Sequence, residues 1–172
     1  MGVGGDYFYF TANDGVHGRE LWASDGTPEG THMITDLNPS GDSNIERAQA
    51  ATYWNGNYYV FAWYYEPGTF TAYPQLYRTN GTQGNFVQLT NNTVPGSVLL
   101  DYDMIVFNDT LFFTWHSWEN SDELWTTDGT PGGTQLFANI APEHRGYTYG
   151  SHPTNFHLLG DSRLFFAYDD GT

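Results

Sequence analysis

The stretch RELWASDGT occupies residues 19–27, and a close copy, DELWTTDGT, occupies residues 122–130. Between them lies a diverged copy, QLYRTNGT, at residues 75–82. In each copy a short run with strand propensity leads into an Asp-Gly or Asn-Gly pair, which is a strong short-range signal of a hairpin turn. The stretch therefore predicts a strand and a tight turn three times along the chain.

A second motif recurs with the same period. Runs of aromatic and β-branched residues begin close to residues 5, 56, 109 and 161, so that successive runs are 51, 53 and 52 residues apart. A regular period of this length is typical of tandem-repeat architectures. We therefore divide the chain into three repeats and the first strand of a fourth, at residues 5–55, 56–108, 109–160 and 161–172.

Each repeat is predicted to form four short strands. The first repeat places them at 7–12, 19–24, 31–36 and 48–54, and the third at 110–115, 122–127, 134–140 and 154–159. The first strands are apolar almost throughout, as expected of a sheet that packs through both faces. Four antiparallel strands per repeat of about 52 residues is the pattern of a β-propeller blade, so we predict an all-β fold of propeller-type blades. A β-sandwich is the alternative, although a sandwich gives no reason for a threefold repeat.

The composition argues against several classes of partner. The chain has 20 acidic and 5 basic residues, a net charge of −15. Binding to nucleic acid depends on Lys and Arg, so no nucleic-acid partner is expected. No apolar run approaches the ~20 residues of a membrane-spanning helix. The chain contains no cysteine, so no disulfide holds this fold together.

The Glu-Leu-Trp and Asp-Gly-Thr elements at 20–22 and 25–27, repeated at 123–125 and 128–130, resemble the bacterial ELWxxDGT repeat family. The resemblance covers nearly the whole chain. It implies a large secreted or surface protein with a propeller-like array, and therefore an extracellular or cell-surface location. It brings no catalytic residues with it. The second repeat departs from the pattern, with Gln75, Tyr77 and Asn80 in place of Glu, Trp and Asp.

The repeated motif residues have two interpretations. As functional groups, the acids would be acid–base catalysts or ion ligands. As structural groups, the aspartates would bond to amides of their own turn and the tryptophans would wedge between blades. We favour the structural interpretation, because a feature present in every repeat generally serves the repeat. The residues concerned are Glu20, Trp22, Asp25, Gly26, Glu123, Trp125, Asp128 and Gly129.

The segments that follow the first strands of repeats two and three are rich in aromatic residues. Sugars stack on Trp and Tyr rings, so an exposed cluster here would be a candidate glycan site. A cluster that is buried would instead cap the sheet. The candidates are Trp63, Tyr64, Tyr65, Trp115, His116 and Trp118.

One loop has part of a calcium-binding pattern. Oxygen ligands recur at Asp36, Asn38 and Ser40, and Gly41 and Asp42 follow them. This matches the first half of a calcium loop, in which glycine occupies the sixth position. The later acid stands one place early, at position 11, so an ordinary polar loop is the alternative. Calcium is thus a possible cofactor.

The leading functional hypothesis is a non-catalytic extracellular module for adhesion, scaffolding or self-assembly. Closed propellers have about 4–8 blades. Three blades and one strand do not close, so either further blades of a longer chain or further copies would complete a ring or filament. A glycan-binding lectin is the first alternative. A carbohydrate-active enzyme, such as a glycoside hydrolase or lyase, is the second, and it would need a convergent pair of carboxylates.

Overall fold

The structure is all-β, as the sequence predicts. The computed structural model describes residues 2–39, 41–43, 45, 50–66, 69, 71–91, 103–117, 120–141 and 150–169. Within these ranges the chain forms fourteen β-strands and no α-helix. The strands group into four antiparallel sheets, which we number I to IV in chain order.

Sheets I, II and III have four strands each and sheet IV has two. Sheet I contains β1 (Gly2–Gly4), β2 (Tyr7–Asn13), β3 (Arg19–Ser24) and β4 (His32–Met33). Sheet II contains β5 (Ala51–Trp54), β6 (Asn57–Tyr65), β7 (Ala72–Thr79) and β8 (Val87–Gln88). Sheet III contains β9 (Met104–Phe107), β10 (Thr110–Ser117), β11 (Ser121–Thr127) and β12 (Gln135–Ala138). Sheet IV contains β13 (Thr154–Leu159) and β14 (Arg163–Ala167).

Every sheet is a simple meander in which neighbours in sequence are neighbours in space. Each sheet is offset by one strand from the sequence repeat. The fourth strand predicted for the first repeat, at 48–54, forms Ala51–Trp54 and pairs with the first strand of the second repeat, with Tyr53 opposite Tyr58. The link is a two-residue turn in which Asn55 and Gly56 have φ of 46° and 75°. Such a turn closes at little entropic cost, so the strand joins its immediate successor.

The hairpin turns also correct the alignment of the repeats. They begin at four residues with positive φ, namely Gly5, Asn55, Asn108 and Gly160. Repeats that begin at residues 5 and 56 place Gly5 opposite Gly56, whereas the turns place Gly5 opposite Asn55. Because side chains alternate along a strand, a shift of one residue exchanges its two faces.

Each sheet has a front face, directed toward the next sheet in the chain, and a back face, directed toward the preceding one. In β6, Tyr58 and Val60 lie on the back face and pack with Tyr9 and Leu21 of sheet I. Tyr59 and Phe61 alternate with them on the front face and join the core shared with sheet III. This double burial explains why the strand is apolar along most of its length.

The four sheets stack in chain order. A third core joins the front of sheet III, through Phe112 and Leu124, to Leu164 and Phe166 on the back of sheet IV. Between sheets, the closest approaches join first strands, namely β1 with β5, β5 with β9 and β9 with β13. The three interfaces are therefore repetitions of one front-to-back arrangement.

Two of the interfaces share a specific contact with a turn glycine. A Cβ added to Gly81 of sheet II would lie 2.7 Å from Cε2 of Tyr7 and 3.0 Å from the hydroxyl of Tyr9 in sheet I. The carbonyl of Gly81 is hydrogen-bonded to Nε2 of His32 at 2.8 Å. We call this turn glycine, with its carbonyl, the turn socket of its sheet.

The socket of sheet III is filled in the same way. A Cβ at Gly129 would collide with the Tyr59 hydroxyl of sheet II. Arg78 Nε donates a hydrogen bond of 2.6 Å to the Gly129 carbonyl. Tyr9 and Tyr59 each lie four residues after the first residue of their hairpin turn. The hydroxyls of equivalent tyrosines thus lie at successive sockets, with the Tyr7 ring closer still at Gly81, and a side chain with a ring nitrogen or guanidinium binds each carbonyl.

We predict that Gly129→Ala destabilises the fold more than Gly26→Ala. Both glycines have φ near 90°, so alanine at either position costs roughly 1–2 kcal/mol in backbone strain. Gly129 adds a collision with Tyr59, worth about 1–3 kcal/mol more, whereas a Cβ at Gly26 meets no described atom within 4 Å. Urea unfolding of the two variants measures the difference. Equal losses would contradict the packing assigned to this glycine.

Candidate functional site

The motif aspartates organise the turns that contain the sockets. Asp25 Oδ1 accepts hydrogen bonds from the Thr27 amide at 2.9 Å and the Thr27 hydroxyl at 2.7 Å. Asp128 Oδ1 accepts the same pair from Thr130, at 2.8 and 2.7 Å. Hydrogen bonds from Thr27 lower the pKa of Asp25, so this carboxylate is ionised at neutral pH. Asn80 takes the role in sheet II and accepts the Thr82 amide at 3.0 Å.

The motif glutamates are buried and bond to backbone amides. Glu20 accepts the Leu37 amide at 3.2 Å. Glu123 accepts the amides of Ile140 and Ala141, at 2.8 and 3.2 Å, and the Ser151 hydroxyl at 2.6 Å. Each side chain therefore fastens a loop that lies after the third strand of the repeat. In the second repeat, the buried Gln75 accepts the Thr90 hydroxyl at 3.0 Å.

Burial has a second effect on Glu20. Desolvation of the carboxylate raises the pKa of Glu20 to about 7, although hydrogen bonds from the Leu37 and Asn38 amides and from Ser43 oppose the change. The side chain of Glu20 is fully buried, so this carboxyl group titrates inside the protein.

The motif tryptophans differ in their contacts. Trp22 Nε1 donates a hydrogen bond of 3.1 Å to the Ala12 carbonyl and so links β3 to β2. Trp125 packs against the core between sheets II and III. Its Nε1 is buried and has no hydrogen-bond partner in the described part of the chain.

The aromatic candidates for a glycan site lie on strands rather than in loops. Trp63, Tyr64 and Tyr65 end β6, and Trp115 and His116 belong to β10. Trp115 is only 2% exposed and stacks on Phe61 at 6.4 Å between ring centroids, so this residue follows the buried alternative. The alternation of side chains along β10 directs Trp115 into the core between sheets II and III. Trp118 lies outside the described residues.

A cavity of about 470 Å³ lies between β8 of sheet II and the strands β10 and β11 of sheet III. Its lining includes Trp125, an edge of Trp115, and the polar residues Asn91 and Ser117. Thr134, at the rim, already donates to the Thr130 carbonyl at 2.8 Å. The cavity has room for a small polar ligand and offers it few uncommitted polar groups.

Two histidines flank the half-buried Asp122, an arrangement that no sequence pattern indicated. His116 Nδ1 lies 2.8 Å from Asp122 Oδ1, and His152 Nδ1 lies 3.2 Å from Asp122 Oδ2. Burial alone would raise the pKa of Asp122, but the hydrogen bonds to His116 and His152 outweigh it and lower this pKa to about 2. The cluster ties the segment before β13 to sheet III.

The loop with the partial calcium pattern makes hydrogen bonds of its own. Asn38 Nδ2 donates to the Asp42 carbonyl at 2.9 Å, and Asp42 Oδ1 accepts the Arg19 amide at 2.7 Å. Asp36 Oδ1 is buried without a described partner, and Ser40 lies outside the described residues. Among the described residues, no three His, Asp or Glu side chains converge as metal ligands. Calcium binding here stays a prediction.

The two ends of the stack expose apolar side chains. The back patch of sheet I consists of Val3, Phe8, Phe10 and Trp22, in which Val3 is 74% and Phe8 49% exposed. The front patch of sheet IV consists of Leu159, Arg163 and Phe165, and Phe165 is 51% exposed. Equivalent faces of the inner sheets are buried against a neighbour. Exposed apolar patches of this kind mark interaction surfaces.

The comparisons with known proteins give no independent assignment. Searches of protein-family models, of curated proteins and of solved structures each found no match. Across the described ranges, the chain has no helix with the length and apolarity needed to cross a bilayer. Among the features of the described residues, the geometry best supports the two exposed apolar patches as the candidate site.

We predict that Asp122→Asn lowers the free energy of unfolding by roughly 1–3 kcal/mol at pH 6, because it removes a charged partner from two histidines. A carboxyl with a lowered pKa stabilises the fold above its unfolded value of about 3.8, and this contribution is lost as the pH falls through about 2. The deficit of the variant should therefore shrink in acid. Urea unfolding between pH 2 and 6 measures it, with Asp128→Asn as a control, since Asn80 already occupies the equivalent turn. A pH-independent deficit would contradict this role.

We also predict that Glu20→Gln flattens the pH dependence of stability. A carboxyl that titrates near 4.5 when unfolded and near 7 when folded binds its proton more tightly in the fold, so stability falls as the pH rises through that window. At about 1.4 kcal/mol per pKa unit, the wild type should lose about 1–3 kcal/mol more than the variant between pH 4.5 and 7. Chemical unfolding across this range, with the exposed Glu29→Gln as the control, tests it. Parallel profiles for wild type and variant would refute the prediction.

Proposed function

We propose that this chain is a non-catalytic scaffold, built from propeller-type blades, that associates through its end faces. The observation that carries the proposal is the front-to-back contact between sheets, which recurs at each interface and is left open at both ends of the stack. The inner faces of the sheets are buried against neighbouring sheets, and an exposed apolar patch on an equivalent face is a candidate interaction surface.

The blade interpretation has support from the arrangement of the strands. Sheets I to III are four-stranded meanders, as propeller blades are. Their first strands approach one another from sheet to sheet, as they do around a propeller axis. The resemblance to the ELWxxDGT repeats adds an extracellular or cell-surface setting, in which such a scaffold would serve adhesion or the display of loops.

The non-catalytic interpretation has support from the motif carboxylates. The side chains of Glu20 and Glu123 are buried and accept backbone amides. Asp25 and Asp128 accept hydrogen bonds from within their own turns. The residues that dominate the sequence pattern are therefore used by the fold.

Glycan binding is the second candidate, and the cavity between sheets II and III favours it. Tryptophan side chains beside polar groups such as Asn91 are the chemistry that a sugar requires. This proposed site is a cavity between sheets, to which Trp115 contributes from β10, and not the exposed aromatic cluster that the sequence offered as a candidate. Calcium remains a proposal for the loop at 36–42.

Light scattering over a hundredfold range of protein concentration, with and without EDTA, tests the scaffold. We expect the mass to rise above that of one chain, because two apolar end patches are exposed. Ammonium sulfate should strengthen the association, since excluded salts favour apolar burial. Dissociation by EDTA would assign calcium a role in the assembly. A single-chain mass at every concentration would contradict the proposal.

A further inference from the structure

We propose that the turn socket of sheet I, at Gly26, receives the front patch of sheet IV from a second copy of this chain. The inference rests on the scaffold function proposed above and names the surfaces through which the scaffold grows. Its product is a head-to-tail array in which the stack of sheets continues from one molecule to the next.

The internal interfaces supply the template for this contact. In each of the first two, the hydroxyl of a front-face tyrosine lies beside the turn glycine of the next sheet: Tyr59 at Gly129, and Tyr9 at Gly81, where the Tyr7 ring is closer still. A nitrogen donor then binds the glycine carbonyl, from His32 in one case and Arg78 in the other. These donors come from different strands, β4 and β7, so the contact requires a donor on the front face and does not fix its strand.

Sheet IV carries both components in exposed positions. The turn of sheet IV has three residues between Leu159 and Arg163, so Phe165 is the third residue of β14, as Tyr9 and Tyr59 are of β2 and β6, and 51% of its surface is exposed. Arg163 lies two residues earlier on the same face and is exposed as well. Leu164 and Phe166, which alternate with them, are directed into the core with sheet III.

Sheet I presents the complementary, unfilled half. An added Cβ at Gly26 meets no described atom within 4 Å, in contrast to Gly81 and Gly129. Beside the socket, Phe8 and Phe10 stack at 5.6 Å between ring centroids and stay on the exposed back face. Asp25, ionised and exposed, gives the turn a negative charge. It complements Arg163, one of only 5 basic residues in the chain.

The two patches differ from each other, so the contact between copies is heterologous. A heterologous contact generates a ring if its rotation closes and a filament if it does not. In this contact, the two strands of sheet IV would face β1 and β2 of sheet I, where Val3 and Phe8 are exposed.

The decisive experiment mixes two variants, each of which lacks one patch. Phe8→Asp removes the apolar back patch and keeps the front patch, and Phe165→Asp does the reverse. Sedimentation velocity should show single chains for each variant alone, because the remaining patch has no complement. An equimolar mixture should give a two-chain species that grows no further, since the intact front patch of one variant docks on the intact back patch of the other.

Three further results keep the inference separate from the scaffold proposal. Val16→Asp replaces an apolar side chain that is 80% exposed in the loop between β2 and β3, and it should assemble like wild type. If the wild type is a single chain throughout, the scaffold proposal itself fails. If the wild type associates but the mixture forms no pair, or if one variant alone forms dimers, the head-to-tail contact is wrong. Formation of the pair also shows that both variants are folded, so loss of assembly by each alone is not misfolding.

Discussion

Two of the three contacts between sheets share one close approach, in which an aromatic side chain of one sheet lies against the turn glycine of the next. Gly81 leaves room for Tyr7 and Tyr9, and Gly129 for Tyr59, because a glycine has no side chain. The same glycines have positive φ and hold the tight turn that presents their carbonyls to His32 and Arg78. One small residue thus sets both the geometry of the turn and the distance between sheets.

The side chains at the glutamate position of the motif are buried and hold loop segments in place through hydrogen bonds. Glu20, Gln75 and Glu123 occupy equivalent places, and each accepts hydrogen bonds from a segment that follows the third strand of its repeat. Gln75 makes this contact without a charge, so the acceptor oxygen is the common requirement. The charge on Glu20 is an addition whose effect on stability depends on pH.

The strands and turns were predictable from the sequence because their signals are local. The Asp-Gly and Asn-Gly pairs mark the turns, and the apolar runs mark β2, β6 and β10. Strand partnership was less accessible, because the offset of Ala51–Trp54 depends on a two-residue turn that the repeat boundary divided. The Asp122 cluster joins His116 to His152 across 36 residues, so no spacing rule indicates it. Trp115 is buried because it lies on the back face of β10. An alignment that is wrong by one residue would place it on the opposite face, so the sequence did not decide its exposure.

The predicted repeat and the observed sheet have different boundaries, because each sheet begins one strand before its repeat. A segment with the bounds of one predicted repeat contains three strands of one sheet and the first strand of the next, so it does not contain a complete sheet. Truncations at 55/56 or 108/109 would sever a hairpin, whereas truncations within 34–50 or 89–103 would leave every described hairpin intact.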